Sequence, residues 1–462
     1  MQNSQLTYFP KYFTNKAIGL YFILLMACSL FFRPMPFQFW IFGIVQVVGF
    51  FYFSNKLTKA WAGYSEKLFV KKLFQTALLI RVCWVIISYI YFSIATGIPF
   101  EYEAADSLWY NDVSNRIVQG RFTFQQLFDE MGVSDSGYIV YLTIIKKILF
   151  GADVIIIIRL IKALLGAWMC VFIYRLAVRN FNESIGRIAA IFCMLMPYLI
   201  YYCGLHLKEL EMTFLCVAFI ERSDWLLRTP QKKIKHFLLP LIFALLLFSF
   251  RTVLGATAIF ALLTAAFFST NYTLKKGFYR WRIVTWCLIA IAFLLGSSIM
   301  EEVDRYWEEK DQNQAAKMEF LEKRTENQFI KYVSGSIFAP LMFVMPMPSI
   351  TYGEQKENQM SFHGNVFIKG VMAFFCMYAI VLLIIQKKWR NNLLLITFLL
   401  AYSLIIVFSG FLFAARFYLP IVPCFMILSA YGVCTLKKRN MYVLYLYMYA
   451  LLVFIWSFMR IR

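Results

Sequence analysis

The chain has 462 residues, 61% of them hydrophobic and 19% aromatic, and carries a net charge of +21. Apolar runs longer than 18 residues recur along it, so it reads as an all-α polytopic membrane protein rather than a soluble domain. The positive balance then belongs to short cytoplasmic loops facing anionic lipid. No basic patch comes with a soluble domain, which excludes nucleic acid as a partner.

Apolar segments fall at about 17–32, 36–54, 73–96, 153–178, 185–203, 208–226, 237–250, 252–270, 282–300, 365–386, 391–410, 417–436 and 440–459, about thirteen spans. The first follows Lys11 and Lys16. "FFRPMPFQFW" comes after it, with no small-residue cleavage site, so it reads as a retained helix. Basic loops alternate with the spans at 56–72, 174–187, 228–236, 274–282, 386–390 and 437–439; placing them all in the cytoplasm gives one consistent topology. All ten cysteines lie in or beside apolar runs without paired or metal-ligand spacing, which predicts buried free thiols.

The acids sort differently. Of 25, only Glu66, Glu183, Glu221 and Asp224 lie inside in that topology. Seven crowd into residues 101–135: Glu101, Glu103, Asp106, Asp112, Asp129, Glu130 and Asp135. The outer face is therefore where chemistry is expected. The chain divides into N-terminal spans (1–96), a first outer loop with surface helices and an acidic motif (97–151), core spans (152–300), a second outer loop (301–364) and C-terminal spans (365–462). "GYIVYLTIIKKILFG" (137–151) is too short to span and carries Lys146 and Lys147, so it reads as a surface helix with snorkelling lysines. Residues 236–269 would make a helix of about 50 Å, so they read as two short helices with Arg251 at the outer turn. Arg251 is either a snorkelling helix-end cation or one that awaits an anionic ligand. The polar stretch 301–334 has helical apolar spacing and predicts outer helices on the membrane surface.

Asp106-Ser107-Leu108-Trp109-Tyr110, followed by Gly120, resembles the first outer loop of the GT-C glycosyltransferases. It is most similar to glycosyltransferase family 39, the protein mannosyltransferases and lipid A aminoarabinose transferases, where the pattern reads Asp-Glu-x-x-Tyr and the aspartate is catalytic. "DSGYIVYLTIIKKILFG" resembles that family's surface segment, "RLIKALLGAWMCVFIYRLAVR" (159–179) its next helix, and "HLKELEMTFL" (206–215) the outer turn with a second acid. The likeness covers residues 95–260. Ser107 replaces the family's glutamate, Trp109 stands where the aminoarabinose transferases have arginine, and Ser134-Asp135-Ser136 replaces their Lys-Pro-Pro.

The resemblance implies a GT-C-like fold with outer-surface helices in a bacterial cytoplasmic membrane. It also implies a polyprenyl-phosphate sugar donor and a glycan, lipid or protein acceptor on the outer face. Such a donor leaves as a stable anion and needs cations rather than a proton, whereas the acceptor hydroxyl needs a base. Asp106 is the expected base and Glu209 the second catalytic acid. Tyr110, Asp135, Arg159, Lys208 and Arg251 are the expected substrate-binding residues.

Each has a structural alternative. Asp106 could cap the surface helix beginning near Ser107, Asp135 could serve a turn, and Glu209 and Glu211 could stabilise a helix start. Arg159 could pair with Asp153 or snorkel. Glu101 and Glu103 read as a solvated rim, and His206 and His363 as isolated. No metal site is indicated, although a divalent cation between Asp106 and Glu209 is compatible with the spacing. Two other functions fit the helical outline: an O-antigen-type polymerase or ligase using the 301–364 loop with His363, and a lipid-linked oligosaccharide flippase, which would show repeat symmetry and midplane charges.

Overall fold

The computed structural model describes residues 7–32, 35–102, 104–149, 154–229, 235–269, 362–408 and 415–459, with isolated positions between 281 and 350. The expected span at 282–300 and the outer helices over 301–334 lie outside them. Every described element is helical. The helices are α1 (Lys11–Phe31), α2 (Phe37–Ala60), α3 (Glu66–Thr96), α4 (Ala105–Val118), α5 (Phe124–Met131), α6 (Ser136–Ile148), α7 (Ile155–Asn180) and α8 (Glu183–Leu195). They continue as α9 (Pro197–Tyr201), α10 (Glu209–Arg228), α11 (Lys235–Phe250), α12 (Thr252–Phe268), α13 (Phe362–Ile385), α14 (Leu393–Phe408), α15 (Val422–Thr435) and α16 (Arg439–Met459). Short 3₁₀ segments lie at Tyr202–Gly204, Trp389–Asn392 and Ala415–Ile421.

The chain is an all-α polytopic membrane protein. Eight helical stretches among the described residues are long and apolar enough to cross a bilayer; α8, α9 and the turn after them, bent by 54°, make a ninth. Of the thirteen expected spans, the one at 282–300 lies outside the described residues, and those matching α10, α11 and α12 are not among these nine. Four acids within α10 dilute its hydropathy, and α11 and α12 are only about 24 and 26 Å long. α7 packs along α3, α8 and α10, and α15 lies between α8 and α13, buried on nearly all sides.

Local sequence explains the breaks. Ser65 caps α3, accepting from the Leu68 N–H, and Gly97 ends the helix at φ 79°. Thr123 and Gln126 form a reciprocal capping box on α5. Pro197 has no N–H to give to the Cys193 carbonyl four residues back. Arg81 of α3, fully buried, supplies the missing donor, with bonds of 3.3 Å to Cys193 O and 3.4 Å to Met194 O. A side chain at Gly166 would collide with that arginine, since an added Cβ would lie 2.6 Å from its Nε.

The bundle has two chemically distinct ends. At one, Arg187 donates to the carbonyls of Trp61, Ala62 and Tyr64, and Arg228 to Asn180 and to the Asn391 carbonyl, tying the basic loops together. Arg179 pairs there with Glu221 and Asp224. The other end gathers α4, α6, the turn at 202–208, the α11–α12 junction and the start of the Ala415–Ile421 segment. Cation bias in the loops of the first end is what makes this second end the expected outer one. An impermeant thiol reagent is expected to label a cysteine at 115 on intact cells, and one at 388 only after permeabilisation. Labelling of 388 from outside would invert the orientation.

The surface-helix reading of 137–151 needs correction in its lysines. Lys146 does not snorkel. It is buried and donates to Asn111 O and Oδ1, Ser114 Oγ and Asn115 Oδ1 at 2.7–3.1 Å, locking α6 to α4. Three ammonium protons meet a cluster of α4 acceptors, which outweighs exposure at the membrane surface. Lys147 lies over the Phe124 ring at 5.5 Å.

Candidate active site

Asp106 lies inside the first turn of α4, not at its cap: the helix starts at Ala105, and Ala104 precedes it without a side-chain cap. A carboxylate there is favoured by the helix dipole. Its Oδ2 accepts from Arg416 Nη1 at 2.6 Å, and both side chains are about half exposed. Arg416 was not among the expected residues. Its one signal in the sequence is position: a lone arginine opening the apolar run "RFYLPIVPCFMILSAYGVC".

Tyr110, one turn after Asp106, points inward and meets the Tyr138 ring edge-on at 5.0 Å. Burial, with Glu209 and Asp106 nearby, pushes its phenol up, so it stays neutral. Lys208 reaches the same ring from the turn before α10, with Nζ 5.8 Å from the Tyr110 centroid and 3.2 Å from the Phe250 carbonyl. It also pairs with Asp135. Asp135 precedes α6 at φ 67° and does not cap it with its side chain. That backbone is costly for a residue with a Cβ, and the carboxylate it presents is spent on Lys208. Burial, reinforced by the charges of Arg251 and Arg416, pushes Lys208 down to about 7, with Glu209 opposing.

Arg251 sits at the α11–α12 junction on extended backbone. Its guanidinium lies 4.4 Å from the Phe417 ring centroid, and that of Arg416 lies 5.2 Å from the same ring. Glu209 opens α10, buried, and its Oε2 has no hydrogen-bond partner among the described residues. Its charge acts on Arg416, Lys208 and Tyr110. Asp106, Tyr110, Asp135, Lys208, Glu209 and Arg251 thus converge, with Arg416 and Phe417 completing the group.

Arg159 stands apart. It is fully buried, donates to the Pro99 carbonyl at 2.5 Å and lies 6.0 Å from the Tyr89 ring, so it does not snorkel. Asp153 and Glu103 lie outside the described residues. Glu101 is not a solvated rim residue. It is buried and accepts from Ser107 Oγ in the first turn of α4, and burial pushes its carboxyl above the ordinary range despite Ser107, Arg159 and Lys162. His206 lies edge-on to Phe100 at 5.7 Å, and burial plus the charges of Lys162, Arg159 and Lys146 keep it neutral. His363 lies not in a loop but in α13, bonded to Tyr21 Oη at 3.0 Å, where Gly43 leaves room for it.

A divalent ion between Asp106 and Glu209 does not fit these residues. Arg416 occupies Asp106, and no group of three His, Cys, Asp or Glu able to hold a metal occurs among the described residues. What the site offers instead is two partly exposed carboxylates (Asp106 and Asp135), one buried carboxylate (Glu209) and three cations, two beside the Phe417 ring and one beside Tyr110.

No family model matches the chain, and no curated protein matches it. Among solved structures, it is similar to the archaeal oligosaccharyltransferase AglB from Archaeoglobus fulgidus, in complex with an inhibitory peptide and a dolichol-phosphate. The TM-score is 0.45 and the sequence identity 13%, over 86% of this chain and 56% of that one. The chain therefore spans little more than half the length of that protein.

Proposed function

We propose that the protein is an integral membrane glycosyltransferase. It moves a sugar from a polyprenyl-phosphate donor to a cell-surface glycan, lipid or protein acceptor. The observation that carries this reading is the Asp106–Arg416 pair, set beside Lys208, Arg251 and Glu209 at the acidic end of the bundle. A carboxylate and several cations are what this reaction needs. Asp106 takes the proton of the acceptor hydroxyl, the oxygen bonds to the anomeric carbon, and the bond to phosphate breaks with its electron pair leaving on phosphate. Arg416, Arg251 and Lys208 hold that phosphate in a partly water-excluded site. Glu209 balances the cations and faces positive charge developing on the sugar ring. Arg416 rests on Asp106, so a donor phosphate that draws Arg416 away frees the base at the moment it is needed.

His363, the residue that favoured an O-antigen-type polymerase or ligase, is engaged with Tyr21 inside the bundle and offers that chemistry no support. The deciding experiment is mass analysis of surface glycolipids and glycoproteins with and without the gene. Loss of one sugar from a surface glycan, with accumulation of its lipid-phosphate form, is expected. Unchanged glycans and lipids would defeat the reading.

Lys208 adds a pH signature. Its ammonium is half lost near pH 7, so affinity for a singly charged phosphodiester should fall as pH rises from 6 to 9. The phosphate favours the charged lysine, so binding at pH 8 should take up a proton. Undecaprenyl methyl phosphate, whose one charge does not titrate in this range, is a suitable probe. Calorimetry in buffers of differing ionisation enthalpy reads both quantities. Constant affinity without proton uptake would remove Lys208 from the phosphate site.

A further inference from the structure

Lys162 is an anomaly in α7. The first half of the helix is apolar except for two buried cations, Arg159 and Lys162; Lys162 lies seven residues in from its start, about 10 Å by helical rise, and is fully buried. A charge at such a position is expensive, faces the protein interior and has specific partners. Its partners lie on one short stretch of chain. Nζ lies 3.0 Å from the Leu205 carbonyl, donates also to the Leu207 carbonyl, and lies 3.4 Å from Glu211 Oε1. Two carbonyls accept from the ammonium and the Glu211 carboxylate lies within ion-pair distance of it, all within residues 205–211.

This stretch needs such a partner. The 3₁₀ turn ends at Gly204 and α10 begins at Glu209, so the carbonyls of residues 205–207 lack the regular helical ladder. Lys162 grips the stretch on both sides of Lys208 and Glu209: two carbonyls before them, one carboxylate after. A shift of one residue in the turn would break all three contacts at once. The ammonium also lies over an aromatic ring, with Nζ 5.3 Å from the Tyr138 centroid, and Tyr138 in turn packs on Tyr110.

We infer that Lys162 is a positioning residue, clamping the 205–211 stretch so that Lys208 and Glu209 face the donor phosphate and sugar; this rests on the proposed function. It touches no substrate. It acts by fixing where two site residues stand relative to Asp106, Arg251 and Arg416, from inside the transmembrane bundle.

Removing Lys162 alone would strand Glu211 as an unpaired buried charge and endanger folding. The informative variant is therefore Lys162→Met/Glu211→Leu in the full chain, which fills the space with apolar side chains but gives the turn carbonyls no donor. Two measurements in lipid nanodiscs test it: hydrogen exchange, and binding of undecaprenyl methyl phosphate from pH 6 to 9. Exchange in residues 203–213 should quicken about tenfold or more, with α3 and α7 as protected as before. Affinity at pH 6 should fall about tenfold. Its decline with pH should flatten, because Lys208 is no longer held in the buried cationic cluster; a residue needed only for folding would leave that slope intact in the folded fraction.

Unchanged exchange in the turn would overturn the clamp. Faster exchange with wild-type affinity and slope would overturn its role in the site. Loss of protection throughout α3 and α7 would make Lys162 a general packing residue, which also overturns it. Failure of the wild-type protein to bind the probe would count against the proposed donor, and the exchange measurement would still decide whether Lys162 holds the turn.

Discussion

Asp106→Asn is expected to slow sugar transfer at least about a hundredfold, while the protein still folds, inserts and binds donor. The change preserves shape and leaves an amide oxygen that can still accept from Arg416, so the contact joining α4 to the Ala415–Ile421 segment should survive in weakened form. What it removes is the ability to take a proton. Tyr110 cannot substitute, because its phenol is buried and beside two carboxylates, which holds the proton on. Glu101→Gln is the control: it keeps an oxygen for Ser107 and should cost much less. Radiolabelled sugar transfer in membranes, with expression checked in parallel, reads both. Equal losses at 101 and 106 would point to diffuse electrostatics. Full activity in Asp106→Asn would remove the base assignment, leaving a likeness of fold without shared chemistry.

The membrane class was legible from composition, because lipid imposes long apolar helices and nothing else suits this chain. The break at Arg251 was legible too, since one helix over 236–269 would overrun the bilayer and the arginine marks the only sensible turn. The character of α10 was not. α10 buries four acids among neighbouring helices, and a helix shielded from lipid need not look apolar. Pattern reading failed most where a charge was satisfied by a distant partner. Lys146 looked like a surface lysine until α4 supplied its acceptors, and Glu101 looked solvated until Ser107 closed on it. Arg416 was overlooked because 310 residues separate it from Asp106 and no local spacing signals the contact. Lone charges at the edge of apolar runs, wherever they fall in the chain, are the signal worth collecting: Arg251 and Arg416 share it.

Arg251→Ala should weaken binding of undecaprenyl methyl phosphate by about 10- to 150-fold, equivalent to roughly 1.5–3 kcal/mol for a lost charge-assisted bond in a partly buried site. Arg251→Lys should recover only part of this, because lysine has neither the planar fork for a phosphate nor the flat face that rests on Phe417. Affinity alone would not distinguish a direct contact from a distorted junction between α11 and α12. The pH profile does. In the wild-type protein the charge of Arg251 helps to hold Lys208 down to about 7. Deleting a positive neighbour favours the protonated lysine, so its pKa must rise. The decline in affinity should then move to higher pH in Arg251→Ala, even as affinity at pH 6 falls. Arg251→Lys keeps the charge and should leave the decline where it was. Wild-type affinity in Arg251→Ala would return the residue to a snorkelling role at a helix end.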